Sequence, residues 1–159
     1  MIDTVLKLEQ SFDILIVDDN SPDGTADIVK KYRDISPVHL LEREGKQGLG
    51  TAYIAGFKWC LEQGYDFVFE MDCDFSHNPE DLVRLHAELS AGNCDMVIGS
   101  RYVNNVVNVV NWPMGRVLLS YFASAYVRLI TGMKVADATA GFVGYSRKVL
   151  STINLDKIK

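Results

Sequence analysis

Cysteine is scarce in this sequence: Cys60, Cys73 and Cys94 are odd in number, widely spaced and without a C-x-x-C pair. That excludes a disulfide framework and a four-ligand zinc cluster, and it fits a reducing, cytosolic setting. Cys73 and His77 are close in sequence, but with no second Cys/His pair beside them a metal site of that type is set aside. No run of lysines and arginines occurs and the net charge is −5, so the basic stripe of a nucleic-acid binder is missing and no nucleic-acid partner is expected. No apolar stretch reaches the ~18 residues of a membrane span, and the first residues lack a signal-like charged and apolar pair of regions. Repeats and low-complexity segments are absent as well.

What is present suits one folded unit. With 159 residues, 48% hydrophobic and 23% charged, the chain is long enough to bury roughly 70% of its unfolded surface around one core. Short β-rich runs at Asp13–Val17, Val38–Leu41, Phe67–Met71 and Met96–Ile98 alternate with helix-compatible segments at Thr25–Asp34, Gly50–Gln63 and Pro79–Ala91. This β-α-β-α-β-α-β order predicts a mostly parallel sheet with helices on both faces and right-handed crossovers. Asn78 before Pro79 is placed as an N-cap, with Glu80 and Asp81 in the positive first turn. Ile2–Leu8 reads as the end of a helix whose preceding strand is missing, and the segment after Ser146 stops without a closing element. The expectation is therefore a single partial domain over 1–159, truncated at both ends.

Ligands of open α/β sheets bind beyond the carboxyl ends of strands, so the residues there carry the functional reading. After the first strand, Asp18-Asp19-Asn20-Ser21-Pro22-Asp23-Gly24-Thr25 delivers two adjacent carboxylates that can accept ring N–H bonds from a nucleobase; the alternative is Asx-turn and capping work. After the second strand, Gly45-Lys46-Gln47-Gly48-Leu49-Gly50 opens a helix without matching the dinucleotide fingerprint or the P-loop. It could bring backbone N–H groups and Lys46 to an anion, or be a structural turn. The third strand ends in Asp72-Cys73-Asp74, a D-x-D pair suited to Mg²⁺ or Mn²⁺, which accept one or two carboxylates and keep positions open for a diphosphate. A calcium loop is excluded, since His77 and Val83 stand where its Gly and bidentate Glu are needed. A phosphatase of the haloacid-dehalogenase type is set aside because its motif belongs on the first strand.

Gly99-Ser100-Arg101-Tyr102 follows the fourth strand, and Asn111-Trp112-Pro113-Met114-Gly115-Arg116 leads into a helix-period segment ending near Thr131. There Arg116, Ser120, Ser124 and Arg128 recur every four residues on an otherwise apolar helix. Such a helix is mostly buried as core, or lies in a membrane interface with its stripe on an anionic head group.

With Val17–Thr25, Gly48–Tyr53, Met71–His77, Gly99–Tyr102 and Asp137-Ala138-Thr139-Ala140-Gly141-Phe142 in order, the chain resembles the family-2 glycosyltransferases, and within them the polyprenol (dolichol) phosphate mannosyltransferases. The resemblance implies a GT-A-like nucleotide-diphospho-sugar transferase fold. It implies transfer of mannose from GDP-mannose to a polyprenyl phosphate at the cytoplasmic face of a membrane, with peripheral membrane contact. Asp18 and Asp19 would then lie at the nucleoside, and Asp72 and Asp74 would serve the Mg²⁺ or Mn²⁺ ion and the diphosphate. Arg101, Arg116 and Ser120 would hold the acceptor phosphate; Asp137, in the matching D-x-T-x-G-F segment, is a further candidate substrate-binding residue. Ser76 stands where some relatives place a third metal contact, a Gln. The family's opening P-T-Y-N-E strand and its later portion are absent.

A phosphate acceptor has a second pKa of about 6 and needs no general base, so a single inverting displacement is expected. Three other readings stand beside this one: a UDP-glucose donor, a sugar-hydroxyl acceptor with Asp137 as base, and a non-catalytic nucleotide-binding or membrane-docking module.

Overall fold

The computed structural model describes residues 1–32, 37–103, 106–107 and 113–158. In chain order its elements are α1 (Ile2–Val5), β1 (Ile14–Asp18), α2 (Thr25–Lys30), β2 (Val38–Glu42), α3 (Leu49–Gln63), β3 (Phe67–Glu70) and α4 (Asp81–Ser90). There follow β4 (Met96–Ile98), β5 (Tyr102–Val103), β6 (Val106–Val107), α5 (Met114–Thr131), β7 (Val143–Ser146), α6 (Arg147–Thr152) and a 3-10 turn at Leu155–Lys157. Arg33, Asp34, Asn111 and Trp112, which the sequence reading included, lie outside the described residues. The elements group into two compact units, one of Ile2–Val68 with the segment from Ser146, the other of Phe69–Tyr145.

In the first unit β1 and β2 pair in parallel from Ile14↔Val38 to Asp18↔Glu42, so Asp18 and Glu42 end the pair together. Both strands are rich in the branched residues that suit a pleated surface. Gly24 opens α2 at φ 82° and Gly64 closes α3 at φ 89°, conformations in which a Cβ would be strained. Gly64 N–H donates to the Cys60 and Leu61 carbonyls. Gly56 lies where α3 packs on β1: a Cβ there would make ordinary contact with Val17 at 3.5 Å. Ser146 caps α6 by accepting from Val149 N–H at 3.3 Å, and Arg147 donates to the Leu61 carbonyl at 3.1 Å.

The second unit is built on a sheet of order β3-β7-β4. β7 runs antiparallel to β4, from Met96↔Tyr145 to Ile98↔Val143, so this strand departs from the parallel pattern read from the four earlier runs. Two glycines permit that packing, since a Cβ on Gly144 would stand 2.5 Å from the Phe69 ring and one on Gly99 2.5 Å from Phe142. Helix α4 buries Leu82, Leu85 and Leu89, a spacing of three and four that lines one helical face. Its start is softer than expected. Asn78 Oδ1 accepts from Glu80 N–H at 3.2 Å, as an N-cap should, yet the first turn closes through Asp81→Asn78 and Leu82→Pro79 bonds, and the α-helix proper begins at Asp81.

Helix α5 overturns the core-helix expectation. Its only buried residue among those described is Ser124, while Met114, Leu119, Phe122, Tyr126, Leu129 and Ile130 are all exposed. The stripe that looked like the polar side of a core helix faces inward at Ser124, and the apolar side faces out.

Candidate active site

In the first unit the DDNSPDGT turn is organised by its own carboxylates. Asp18 is buried, and its Oδ2 accepts from Ser21 N–H at 3.0 Å. Asn20 takes a left-handed φ of 59°, which Asn tolerates better than most residues. Asp23 accepts from both the N–H and the hydroxyl of Thr25 at the mouth of α2. Asp19 is engaged in a fork with Arg43, Nε to Oδ1 at 2.5 Å and NH2 to Oδ2 at 2.6 Å. Arg43 also donates to the Thr51 hydroxyl on α3 at 2.9 Å, and its N–H to the Asp18 carbonyl at 2.8 Å. The Arg43 bonds lower the Asp19 pKa below 3.8 against a desolvation that raises it, with further lowering from the Gln47 N–H and from Lys46. The Gly45–Gly50 loop thus turns a backbone donor and a positive charge toward a protein carboxylate. Sequence reasoning passed over Arg43, although it lies one residue past β2, where strand-end logic looks for function.

In the second unit the chain leaves β3 at Glu70 and forms the D-x-D turn. Asp74 Oδ1 accepts from Ser76 N–H at 2.9 Å, and bonds from the Ser76 side chain and backbone hold its carboxyl below the ordinary 3.8. Asp74 is therefore an anion at neutral pH. Between them Phe75 sits at φ 61°, a left-handed conformation costly for a bulky residue and met mainly at functional turns. Asp72 is half exposed, and His77 Nε2 lies 3.9 Å from its Oδ2. The His77 ring packs on Phe142 with centroids 5.2 Å apart, and burial lowers its pKa while Asp72 opposes the shift.

A second cluster forms around Asp137. Its carboxylate, 1% exposed, receives Arg101 Nε at 2.7 Å, Arg101 NH2 at 2.7 Å and Arg101 N–H at 3.0 Å. Arg101 NH2 also donates to the Thr139 hydroxyl at 2.8 Å, and the Ser124 hydroxyl reaches Asp137 Oδ1 at 3.4 Å. Burial alone would raise the Asp137 pKa, but the bonds from Arg101 outweigh it and the carboxyl stays below 3.8. The turn 137–141 links the two clusters: Asp137 and Thr139 hold Arg101, and a Cβ on Gly141 would stand 3.1 Å from Asp72 Oδ2. Arg101, Asp72, Asp74 and Asp137 all act electrostatically on His77. Of the remaining expected residues, Arg116 and Lys46 are exposed, and the Ser120 hydroxyl is buried without a hydrogen-bond partner among the described residues. Ser124 was read only as part of the α5 polar stripe and Thr139 was not singled out; the i, i+2 spacing in Asp137-Ala138-Thr139 is the signal that could have flagged the latter.

The donor set at Asp72 and Asp74 is all-oxygen and ionised at Asp74, and the absence of a side chain at Gly141 leaves space beside Asp72. Both features fit Mg²⁺ or Mn²⁺. Among the described residues no group of three or more His, Cys, Asp or Glu converges on one point, so other ligand positions would fall to substrate oxygens and water.

An α/β protein with carboxylates at its strand ends and a buried Arg–Asp pair beside a D-x-D turn is the class defined by these elements. Residues 1–153 match the family model described as Glycosyl transferase family 2, and the chain belongs to that family, with the GT-A-like α/β architecture its sequence implied. It is 47% identical over 148 residues to an undecaprenyl-phosphate mannosyltransferase of Micrococcus luteus, covering 92% of this chain and 60% of that protein. It is 46% identical over 147 residues to a polyprenol monophosphomannose synthase of Mycolicibacterium smegmatis, covering 91% of this chain and 55% of that one. The chain thus spans little more than half the length of these curated relatives.

Proposed function

We propose that this chain is part of a single catalytic domain, over 1–159, that transfers mannose from GDP-mannose to a polyprenyl phosphate. The observation that carries the reading is the 137–141 turn, which fixes Arg101 on one side and borders Asp72 on the other. This supports a reading in which the Asp72 carboxylate and the held Arg101 guanidinium serve one site. The names of the two relatives, which specify mannose and a polyprenyl carrier, favour this donor sugar and acceptor class.

In this reading Asp72 and Asp74 hold Mg²⁺ or Mn²⁺ together with the donor diphosphate, and Asp18, Asp19 and Lys46 serve the nucleotide. A bound divalent ion would neutralise charge developing on the leaving diphosphate. Arg101, Arg116 and Ser120 receive the acceptor phosphate, Ser120 through its unpartnered hydroxyl. The acceptor oxygen attacks the anomeric carbon, the bond to the diphosphate breaks, and the product is a sugar phosphate of inverted configuration. The chain's task is positioning and charge complementarity. A phosphate monoester is already ionised near neutrality, so no base is needed, and Asp137, enclosed and held as an anion by Arg101, serves to orient that arginine. The outward apolar face of α5 suits peripheral contact with the cytoplasmic face of the membrane that carries the lipid.

Asp74→Asn removes the carboxylate charge with little change of shape. In the full-length protein it should abolish transfer while leaving the fold intact by circular dichroism. Retained turnover would remove Asp74 from the metal and diphosphate role.

A further inference from the structure

Helix α5 carries two of the proposed acceptor-phosphate groups, Arg116 and Ser120, while the third, Arg101, follows β4. Something must set the helix in register with that arginine. Large buried side chains, the usual means, do not do it, because Met114, Leu118, Leu119, Phe122, Leu129 and Ile130 are all exposed. The one wholly enclosed residue of the helix is Ser124, at 0% exposure. A serine inside a helix commonly turns back on the carbonyl four residues earlier. Here the hydroxyl reaches away from its own helix, to Asp137 Oδ1 at 3.4 Å and to the Thr139 hydroxyl at 3.5 Å. Those two atoms are the ones that receive Arg101 NH2, at 2.7 and 2.8 Å. Ser124, Asp137, Thr139 and Arg101 therefore close one buried polar ring.

We propose that Ser124 is a positioning residue that keys α5 to the Arg101–Asp137 pair and so sets Ser120 and Arg116 relative to Arg101. The inference rests on the reading of those three residues as the acceptor-phosphate site. The helix geometry gives it its reach. Arg116, Ser120 and Ser124 stand at intervals of four on one face, each step about 6 Å along the axis, so a shift at Ser124 is carried along the helix to Ser120 and Arg116. At 3.4 and 3.5 Å the Ser124 contacts are longer than the usual O–H···O hydrogen bond and individually weak.

Steady-state kinetics on the full-length protein, with donor and polyprenyl phosphate varied separately, tests this. Ser124→Ala should raise the KM for the acceptor about tenfold, in keeping with the sensitivity of reaction geometry to displacements near 1 Å, with the donor KM within about twofold and the thermal midpoint unchanged. Thr139→Val should act in the same direction. The double variant should show less than the product of the two effects, because both work through one shared pair. Arg116→Ala is measured alongside. If it raises the acceptor KM and Ser124→Ala does not, the positioning role is overturned and the acceptor site stands. If Arg116→Ala leaves the acceptor KM unchanged, the acceptor-site reading fails, and the role of Ser124 falls with it. Equal loss toward donor and acceptor, tracking a fall in thermal midpoint, would make Ser124 a packing residue only. Should Ser124→Ala not fold, Thr139→Val alone carries the same expectation and the same contradiction.

Discussion

Asp137 is the residue whose part changes most between sequence and structure. Its place in an Asp-x-Thr motif admits a substrate contact or a general base, whereas its carboxylate is enclosed and bonded on both oxygens by Arg101. Removing one member of such a buried pair leaves the other charge uncompensated, which costs about 3–5 kcal/mol. Asp137→Asn should therefore destabilise the protein by that order in urea denaturation at pH 7. The pH dependence has a definite sign. The folded-state pKa lies below the ordinary 3.8, so the carboxylate's contribution is full at neutral pH and is lost as pH falls through that depressed value. The stability gap between wild type and Asp137→Asn should stay constant from pH 7 to about 5 and shrink below pH ~4. A gap already closing at pH 6 would contradict the assignment. Asp19 gives a parallel case, since its fork with Arg43 spans a separation of 24 residues that motif reading does not see.

Secondary-structure elements divide by how much of their environment is local. β1, β2 and β4 were legible from short runs of branched residues, and α3 and α4 from helical spacing, because a strand or helix with one dominant face writes its burial into its own sequence. β7 was not, for Val143-Gly144-Tyr145-Ser146 has no alternation and owes its place to the close approach of Phe69 and Val97 to Gly144. The length of α5 was legible and its orientation was not: apolar residues look the same whether they face a core or the outside. The inward side is marked by Ser124, whose contact with Asp137 joins residues 13 apart. The exposed face should act as a membrane-surface element. Wild-type protein should float with anionic vesicles, and replacing Leu119 and Leu129, both largely exposed, by Ser should abolish flotation without lowering the thermal midpoint. Failure of the wild type to associate with anionic or neutral vesicles would remove the membrane role.

For the molecule as a whole, no described helix is long and apolar enough to cross a membrane, and the net charge of −5 leaves an anionic ligand to be met by local cations. Lys46, Arg101 and Arg116 are the proposed candidates. The site motifs were legible because strand-end chemistry compresses into two or three adjacent residues, as in Asp72-Cys73-Asp74. The pairings that orient those motifs, Asp19 with Arg43 and Asp137 with Arg101, depend on folding and had to be observed. The most direct test of the central claim is a labelled-donor assay on the full-length protein with polyprenyl phosphate, Mg²⁺ or Mn²⁺, and either GDP-mannose or UDP-glucose. Lipid labelling from GDP-mannose that disappears with chelator is expected; labelling from UDP-glucose alone would contradict the sugar, and labelling from neither would contradict the claim that this domain glycosylates a polyprenyl phosphate.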